Sequence, residues 1–416
     1  MNIIRATDVD VLIIGGGILG VGIAAVVAQR GFRVLLLRLP DINRPHADTL
    51  RNQAWLQSGL MYIDRFEDRK HGLLLAKRMF HGGNAMLAQL GVQPPSDDRR
   101  GILRVKGVDD TNQLLADAKD LSISKLVNRI PHSEAESRLG SLYDSQGQYF
   151  TIPDAPFDEA MVMTRLREAA QQNGATLAET AEPITLKLDS SKKALQVDLG
   201  GQPVKSKVTV CAAGAGNISL RDQLGLQPIF TIRQTPLLVA DEDLGTNAFL
   251  FADRSRGWSF TRHPSAPGGS ANAYVIGTRV HRPVDFKPAD ARRILADDFK
   301  LFRQCLPDSL AHLCDRGRFT AGYEIIPDES TRTRYVEPWV DQHPEFPQLL
   351  FAMPGRATLG LFTARQVATS VFKHLSDDGH RGKGRSSLGL SNDQAWNGQV
   401  HMHFEPYFDF NDYFDD

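Results

Sequence analysis

The pattern of apolar and polar positions near the start of the chain predicts a strand, a helix and a second strand in quick succession. Residues 9–14 are almost all apolar, which is typical of a strand that is covered on both faces. Small and apolar residues at helical spacing predict a helix over 18–30, and Gly31 stands where a helix end favours a left-handed residue. A second apolar run over 33–37 predicts the next buried strand. Together these segments predict one complete βαβ unit.

The rest of the chain alternates between helical and strand patterns, with a strand-rich region over 230–320. Helical spacing of apolar residues predicts helices over 70–90, 133–139, 157–173, 288–306 and 363–375. Short apolar or alternating runs predict strands over 101–107, 184–199, 207–212 and 349–353. After residue 376 the sequence becomes polar and rich in glycine and serine, which predicts a linker.

Composition and charge narrow the class of protein. With 416 residues the chain exceeds a single ordinary core, so we expect two domains. A formal net charge of -1 argues against a general nucleic-acid binder, which usually carries a strong basic excess. No run has the ~20 apolar residues of a membrane-spanning helix, and the start does not have the pattern of a signal peptide. The three cysteines form no disulfide or zinc pattern, so we expect a cytoplasmic protein without a metal site.

A glycine-rich loop joins the first strand to the first helix. Its glycines have the spacing G-x-G-x-x-G. In such loops the first glycine allows a tight turn, the second lets the backbone approach a pyrophosphate, and the third lets the helix pack on the strand. The N–H groups at the helix N-terminus then bind the phosphates. We therefore expect a dinucleotide to be bound by Gly15, Gly17, Ile18, Leu19 and Gly20.

One residue departs from the dinucleotide-binding pattern. The second strand of such a unit usually ends in Asp or Glu, which binds the adenosine ribose, but here Arg38 occupies that place. An arginine can suit a 2′-phosphate, so an NADP-dependent oxidoreductase is an open alternative at this point. A surface arginine that leaves the ribose to backbone and water is the other alternative.

Five segments of the chain stand out, in this order: VDVLIIGGGILGVGIAAVVAQRGFRVLLL, RNQAWLQSGLMY, YFTIPDAPFDEAMVMTRLREAAQQNGA, KVTVCAAGAGNISL and LLFAMPGRATLGLFTARQVA. Together they resemble the D-amino-acid oxidase superfamily of FAD-dependent oxidoreductases. That group includes glycerol-3-phosphate dehydrogenase, glycine oxidase and L-2-hydroxyglutarate dehydrogenase. The resemblance covers residues 8–375 and implies that the cofactor is FAD.

The resemblance also implies which residues lie at the flavin. The second segment passes close to the flavin ring in family members, and it contributes Arg51, Asn52, Gln53, Ala54, Gln57, Ser58 and Gly59. The family's frequent histidine falls on Gln57, so a group that can relay a proton is replaced here by a neutral amide. The fourth segment contributes Ala213 and Gly214. The fifth segment covers the pyrimidine end of the ring, and it contributes Gly355, Arg356, Ala357, Thr358 and Leu359.

The fold that this resemblance implies is α/β. A Rossmann-like FAD-binding domain would be interleaved with a substrate (cap) domain of the α+β type, built on an antiparallel sheet. We expect the FAD-binding domain to comprise 1–80, 145–228 and 322–378, and the cap domain to comprise 81–144 and 229–321. Residues 379–416 are expected to form a linker and an aromatic, acidic tail. The aromatic residues predict that this tail docks on its own domain, on a second subunit or on a partner protein, and a frayed tail is the alternative.

Charged residues on the predicted cap strands are candidates for binding a substrate. Arg262 and Arg279 lie in adjacent hairpin arms, where they could clamp a carboxylate or phosphate if they share a face. Tyr323 and Glu324 stand where many relatives carry an arginine that binds the substrate carboxylate, which favours a substrate with an amine or a hydroxyl group. A solvated edge for the arginines and an ion pair for Glu324 are the alternatives.

The expected function is oxidation of a CH–OH or CH–NH group of a small polar substrate by hydride transfer to flavin N5. The expected catalytic-site residues are Gln57, Arg262, Arg279, Tyr323 and Glu324. The second segment favours the hydroxy-acid and glycerol-phosphate branch, whereas Tyr323 and Glu324 disfavour simple amino acids. A flavin-binding subunit of a protein assembly with reduced turnover is an alternative, since Arg38, Gln57 and Glu324 all depart from the family pattern.

Overall fold

A computed structural model of the chain describes residues 8–38, 55–66, 68–93, 100–189, 194–227, 229–242, 244, 250–252, 258–262, 273–278, 280, 282–284, 296–327 and 337–377. The strands are β1 (Asp8–Ile14), β2 (Val34–Arg38), β3 (Trp55–Leu56), β4 (Gly101–Val105), β5 (Asn128–Ile130), β6 (Gln148–Ile152), β7 (Ala155–Pro156), β8 (Thr176–Glu179), β9 (Ile184–Asp189), β10 (Ala194–Leu199), β11 (Gln202–Cys211), β12 (Phe230–Ala240), β13 (Leu250–Ala252), β14 (Trp258–Arg262), β15 (Tyr274–Gly277), β16 (Arg282–Val284), β17 (Arg318–Pro327), β18 (Trp339–Gln342) and β19 (Leu349–Met353). The helices are α1 (Ile18–Gln29), α2 (Arg69–Gln89), α3 (Val108–Asp120), α4 (His132–Leu139), α5 (Glu159–Gln172), α6 (Gly216–Asp222), α7 (Ala296–Cys305), α8 (Asp308–Ala311), α9 (Leu313–Arg316) and α10 (Gly360–Asp377).

The first sheet is built on adjacent parallel strands. Its order is β18-β19-β11-β1-β2-β8, and the antiparallel hairpin of β9 and β10 continues from β11. The strands from β19 to β8 run parallel, whereas β18 is antiparallel at the edge. The strand–helix–strand succession of β1, α1 and β2 confirms the predicted βαβ unit.

Alternate residues of β1 belong to two apolar layers. Val11 and Ile13 pack with α1, α5 and α10 on one face of the sheet. Leu12 and Ile14 pack with the β9–β10 hairpin and α6 on the other face. Because both faces are covered, the strand is apolar at consecutive positions, which explains the uninterrupted run in the sequence.

The second sheet is mostly antiparallel. Its order is β16-β12-β15-β14-β13-β4-β6-β5, and β17 pairs with the opposite edge of β12 from β15 and β16. Among the described strands, β13 and β4 form its only parallel pair. One face packs on the α7–α9 region around Phe260, Tyr274 and Phe302, which are all buried. The chain is therefore an α/β structure with two large mixed sheets.

Strand pairing bears on how the chain divides between the two sheets. β6 pairs with β4 and β5, and β17 pairs with β12, so both strands belong to the second sheet. The predicted border at 145 precedes β6, and the border at 322 falls within β17. The division into interleaved domains stays a prediction, and so does the docking of the 379–416 tail, which lies outside the described residues.

The sequence pattern did not predict helix α3. Leu114 and Ala118 are buried on one side of this helix, whereas Val108 and Leu115 are exposed. Its apolar stripe is thus too narrow and too mixed to be recognised by spacing alone. None of the helices in the described ranges is long and apolar enough to cross a membrane.

Candidate functional site

The carboxyl ends of four parallel strands meet along one edge of the first sheet. β1 leads into the glycine-rich loop, β2 ends at Arg38, β11 leads into the 212–214 loop, and β19 leads into Pro354. The chain moves from β1 to β2 on one side, whereas β11 and β19 lie on the other side. Open α/β sheets bind ligands in the crevice at such a change of direction. This edge, between β1 and β11, is therefore the candidate site.

Close backbone contacts explain two glycines of the loop after β1. Gly15 has a φ of 128°, and a Cβ atom on it would overlap the carbonyl oxygen of Ala212. A Cβ atom on Gly20 would overlap the carbonyl oxygen of Gly15. The other residues predicted to bind the cofactor here lie directly before or within the first turn of α1: Gly17, Ile18 and Leu19. Gly17 caps α1 without a side-chain hydrogen bond, so the helix N-terminus presents backbone to the crevice.

A buried asparagine that the sequence did not single out fixes the loop after β11. Asn217 Oδ1 accepts a hydrogen bond from the Ala213 amide at 3.0 Å, and its Nδ2 donates to the Ala352 carbonyl oxygen at 3.1 Å. The side chain thus joins this loop to β19. A Cβ atom on Gly214 would lie 3.8 Å from Ile325 Cδ1 on β17, so the second sheet approaches the site here. An asparagine within a run of small residues was the only signal in the sequence.

The second segment is described from Trp55 onward, where a buried carboxylate holds it. Asp154 accepts hydrogen bonds from the Ser58 amide, at 3.2 Å, and from the Ser58 hydroxyl. The Asp154 carbonyl oxygen accepts a hydrogen bond from the Gly101 amide at 2.6 Å. Burial raises the pKa of the Asp154 carboxyl to about 6, although the hydrogen bonds from Ser58 lower it. Asp154 therefore joins the second segment to the start of β4.

The second and fifth segments meet around one tyrosine. Gln57 Nε2 donates a hydrogen bond to Tyr62 Oη at 2.9 Å. The Arg356 guanidinium lies over the Tyr62 ring, with Cζ 5.4 Å from the ring centroid. Tyr62 is buried against Leu359. The predicted residues Gln57, Arg356 and Leu359 therefore belong to one cluster, while Gly355, Ala357 and Thr358 lie in the turn just before α10.

Glycines let helix α2 pack closely on both of these segments. A Cβ atom on Gly83 would lie 2.6 Å from Thr358 Cγ2 and 2.8 Å from Leu56 Cδ1. Gly59 has a φ of 80° and lies against the backbone of Ala76. α2 is therefore the support on which the second and fifth segments come together.

Alanine at two adjacent glycines of α2 should have opposite effects on stability. The added Cβ of Gly82→Ala would lie 3.7 Å from the Thr358 carbonyl oxygen, an ordinary contact. We expect this variant to gain up to about 1 kcal/mol in free energy of unfolding, because alanine favours helices over glycine. Gly83→Ala should lose about 1–3 kcal/mol, since Thr358 and Leu56 must move. Urea unfolding measures both, and a stability gain for Gly83→Ala would contradict the close packing.

Two buried oxygen atoms of the second and fifth segments fit a bound cofactor. Within the described residues, no group forms a hydrogen bond with the buried Oε1 of Gln57 or the buried hydroxyl of Thr358. Buried polar atoms are normally paired, so both are suited to a ligand. Together with the close backbone turn at Gly15 and Gly20, they fit a flavin nucleotide that extends from the loop after β1 to the loop before α10.

Arg38 has a carboxylate partner. Its Nη2 forms an ion pair with Glu179 Oε1, and the strand register places the two residues side by side on β2 and β8. A 2′-phosphate at Arg38 would also meet the negative charge of Glu179, which weakens the case for NADP.

Thr261 and the predicted Arg262 lie on opposite faces of β14. The Trp55 indole of the second segment donates a hydrogen bond to Thr261 Oγ1. Because side chains alternate along a strand, Arg262 lies on the opposite face, where its Cζ is 5.9 Å from the centroid of the Tyr274 ring. Thr261, which the sequence did not indicate, is therefore a residue of β14 that contacts the second segment.

The pairing of β12 with β17 places two further predicted residues. Glu324 occupies the position opposite Arg233, and Tyr323 occupies the position opposite Gln234. Five predicted residues lie outside the described part of the chain: Arg51, Asn52, Gln53, Ala54 and Arg279. Within the described ranges, no three His, Cys, Asp or Glu side chains are grouped so that they could hold a metal ion.

Comparison with known proteins gives a family match over most of the chain. The model of the family DAO, FAD dependent oxidoreductase, matches residues 10–368. The chain is 27% identical over 225 residues to the tRNA 5-methylaminomethyl-2-thiouridine biosynthesis bifunctional protein MnmC of Stutzerimonas stutzeri (strain A1501). It is 39% identical over 69 residues to the aerobic glycerol-3-phosphate dehydrogenase of Escherichia coli (strain K12). These matches cover 53% and 17% of this chain, and only 32% and 13% of the two relatives.

Solved structures show the same fold at low sequence identity. Glycine oxidase from Geobacillus kaustophilus is similar with a TM-score of 0.64 and 19% identity, over 88% of this chain and 95% of that chain. Iminodiacetate oxidase from Chelativorans sp. BNC1 is similar with a TM-score of 0.67 and 17% identity, over 87% of this chain and 95% of that chain. At this level of identity the similarity concerns the fold alone.

Proposed function

The chain belongs to the DAO family of FAD-dependent oxidoreductases, and from this premise we propose that it oxidises a CH–NH or CH–OH group of a small polar substrate. When bound, FAD supplies the acceptor, flavin N5, for the hydride that leaves the substrate carbon. The observation that carries the proposal is the meeting of Gln57, Tyr62 and Arg356, which unites the second and fifth segments at the carboxyl edge of the first sheet.

Gln57 favours an amine over an alcohol as the oxidised group. Its amide donates to Tyr62 Oη and cannot take up a proton, whereas an alcohol needs a base to accept its hydroxyl proton. An amine that binds in its neutral form needs no base at this position. Glycine oxidase and iminodiacetate oxidase, which share the fold, are named for compounds that contain a CH–NH group.

Arg356 and Thr358 would hold the pyrimidine end of the flavin. The Arg356 guanidinium brings positive charge to the loop before α10, and the N-terminus of this 18-residue helix adds its dipole. Both stabilise negative charge on a ligand at this place. The Thr358 hydroxyl, buried and without a hydrogen bond in the described residues, would bind a polar atom of the ring.

The second sheet would cover the flavin ring as the lid of interleaved domains. Two contacts between the sheets support this proposal. Ile325 of β17 lies against Gly214 in the loop after β11, and Thr261 of β14 accepts a hydrogen bond from Trp55 of β3. Substrate would then bind between Gln57 and the strands β12 and β17, where Tyr323 and Glu324 are placed.

Anaerobic flavin reduction tests the proposed reaction. The purified protein, saturated with FAD, is mixed without oxygen with a panel of secondary amines, amino acids, hydroxy acids and polyol phosphates. We expect the long-wavelength flavin absorbance to bleach with at least one amine and more slowly with the matching hydroxy acid. Bleaching by hydroxy acids alone would overturn the preference for an amine.

The neutral amide of Gln57 also supports a second candidate, a flavin-binding subunit with reduced turnover. The same experiment distinguishes the active oxidoreductase from a flavin-binding subunit with reduced turnover. FAD that stays oxidised with every member of the panel, yet is reduced by dithionite, would favour the subunit and contradict the enzyme proposal.

A further inference from the structure

The strand that usually supplies the ribose-binding carboxylate supplies a cation here. β2 ends at Arg38, whose guanidinium contacts the Glu179 carboxylate at the end of the neighbouring parallel strand β8. The backbone supports the same arrangement, because the Thr180 amide donates a hydrogen bond to the Arg38 carbonyl oxygen at 2.9 Å. Arg38 and Glu179 thus form one unit at the carboxyl edge of the sheet.

This pair lies beside the glycine-rich loop. A Cβ atom on Gly16 would lie 2.5 Å from Arg38 Cβ and 3.0 Å from Arg38 Cδ, so the arginine side chain runs along the loop. The Arg38 side chain is only 19% exposed, whereas that of Glu179 is 47% exposed. Within the described residues, the second carboxylate oxygen of Glu179 forms no hydrogen bond. The arginine is therefore covered, and the carboxylate remains open to a ligand.

The hydroxyl groups of the adenosine ribose are suited to a hydrogen-bond acceptor at the carboxyl end of β2. Its two hydroxyl groups donate hydrogen bonds, and a guanidinium has no acceptor atom. We propose that Glu179, rather than a residue of β2, binds the ribose hydroxyl groups of FAD, and that Arg38 is the positioning residue that holds the Glu179 carboxylate. The inference rests on FAD binding by the loop at Gly15–Gly20, not on the identity of the substrate.

The same pair selects against a phosphorylated ribose. A 2′-phosphate would lie next to the open Glu179 carboxylate, and two neighbouring negative charges repel each other. Arg38 cannot offset this repulsion fully, because its charge is already shared with Glu179. Arg38 therefore supports FAD binding by positioning Glu179, and it does not indicate an NADP site.

Binding of FAD and of an analogue without the ribose 2′-hydroxyl tests the proposal. The flavin is removed from the wild type, Glu179→Gln and Glu182→Gln, and dissociation constants are measured by quenching of flavin fluorescence. Glu182 is an exposed carboxylate three residues further along and serves as the matched control. We expect Glu179→Gln to weaken FAD binding about tenfold, since a charged hydrogen-bond acceptor is replaced by a neutral amide oxygen. Glu182→Gln should bind FAD like the wild type.

The analogue separates ribose binding from a purely structural role. The wild type should bind the 2′-deoxy analogue less tightly than FAD, and Glu179→Gln should weaken the analogue much less than it weakens FAD. Equal weakening of both ligands, or none, would overturn the proposal even though FAD binds. Failure of the wild type itself to bind FAD would instead contradict the cofactor assignment on which the proposed function depends.

Discussion

Replacing Gly20 with alanine is expected to lower FAD affinity about 100-fold or more, the equivalent of roughly 3 kcal/mol. The new Cβ atom would overlap the carbonyl oxygen of Gly15, which is backbone and cannot rotate away. α1 must then move off the loop after β1, so the helix N-terminus leaves the position where it would bind the pyrophosphate. Fluorescence titration of the apoprotein with FAD measures the loss.

Gly82→Ala is the matched control for this variant. Its added Cβ atom meets no atom closer than 3.7 Å, so we expect FAD affinity close to that of the wild type. Urea unfolding of both apoproteins shows whether the Gly20→Ala chain is folded. A folded Gly20→Ala protein with wild-type affinity for FAD would contradict the proposed cofactor site at this loop.

The variant Asp154→Asn is expected to be about 2–3 kcal/mol more stable than the wild type at pH 8. Burial raises the pKa of the Asp154 carboxyl from 3.8 to about 6. The folded protein therefore binds the proton of the Asp154 carboxyl more tightly than the unfolded chain does. The stability that this bound proton contributes is lost as pH rises from about 4 to about 6. Each unit of pKa difference corresponds to about 1.4 kcal/mol. Asparagine avoids the buried charge and can still hydrogen-bond Ser58.

Urea unfolding at pH 4.5 and pH 8 measures this gain. The gain should fall to about a third at the lower pH, where the carboxyl of the folded wild type is protonated but that of the unfolded chain is still largely ionised. Ser58→Ala should change stability in the opposite direction, with a larger loss at pH 8, because it removes a donor from the ionised carboxylate. An Asp154→Asn protein that is less stable than the wild type at pH 8 would show that the charged form is required.

Several features of the site could be read from short stretches of sequence. The glycine spacing at 15–20 and the apolar runs around it are set by local backbone geometry and by burial on both faces of a strand. The turn before α10 was recognised through family resemblance, and the structure places it at the end of β19. Helix α3 was missed because more than half of its apolar residues are exposed to solvent.

Contacts between distant residues could not be predicted in this way. Arg38 and Glu179 are 141 residues apart, and Ser58 and Asp154 are 96 residues apart. The carboxylate partner of Arg38 depended on the strand order, which places β8 next to β2. The face that Arg262 occupies on β14 depended on the register of the second sheet.

The sequence by itself determined the βαβ unit and the glycine-rich loop, because these depend on residues within about one turn or strand of each other. Only the tertiary structure decided which carboxylate accompanies Arg38, which side chains meet at Tyr62 and which buried acid holds Ser58. The physical reason is that such pairings are set by how strands and helices pack, and residue type alone leaves many partners open.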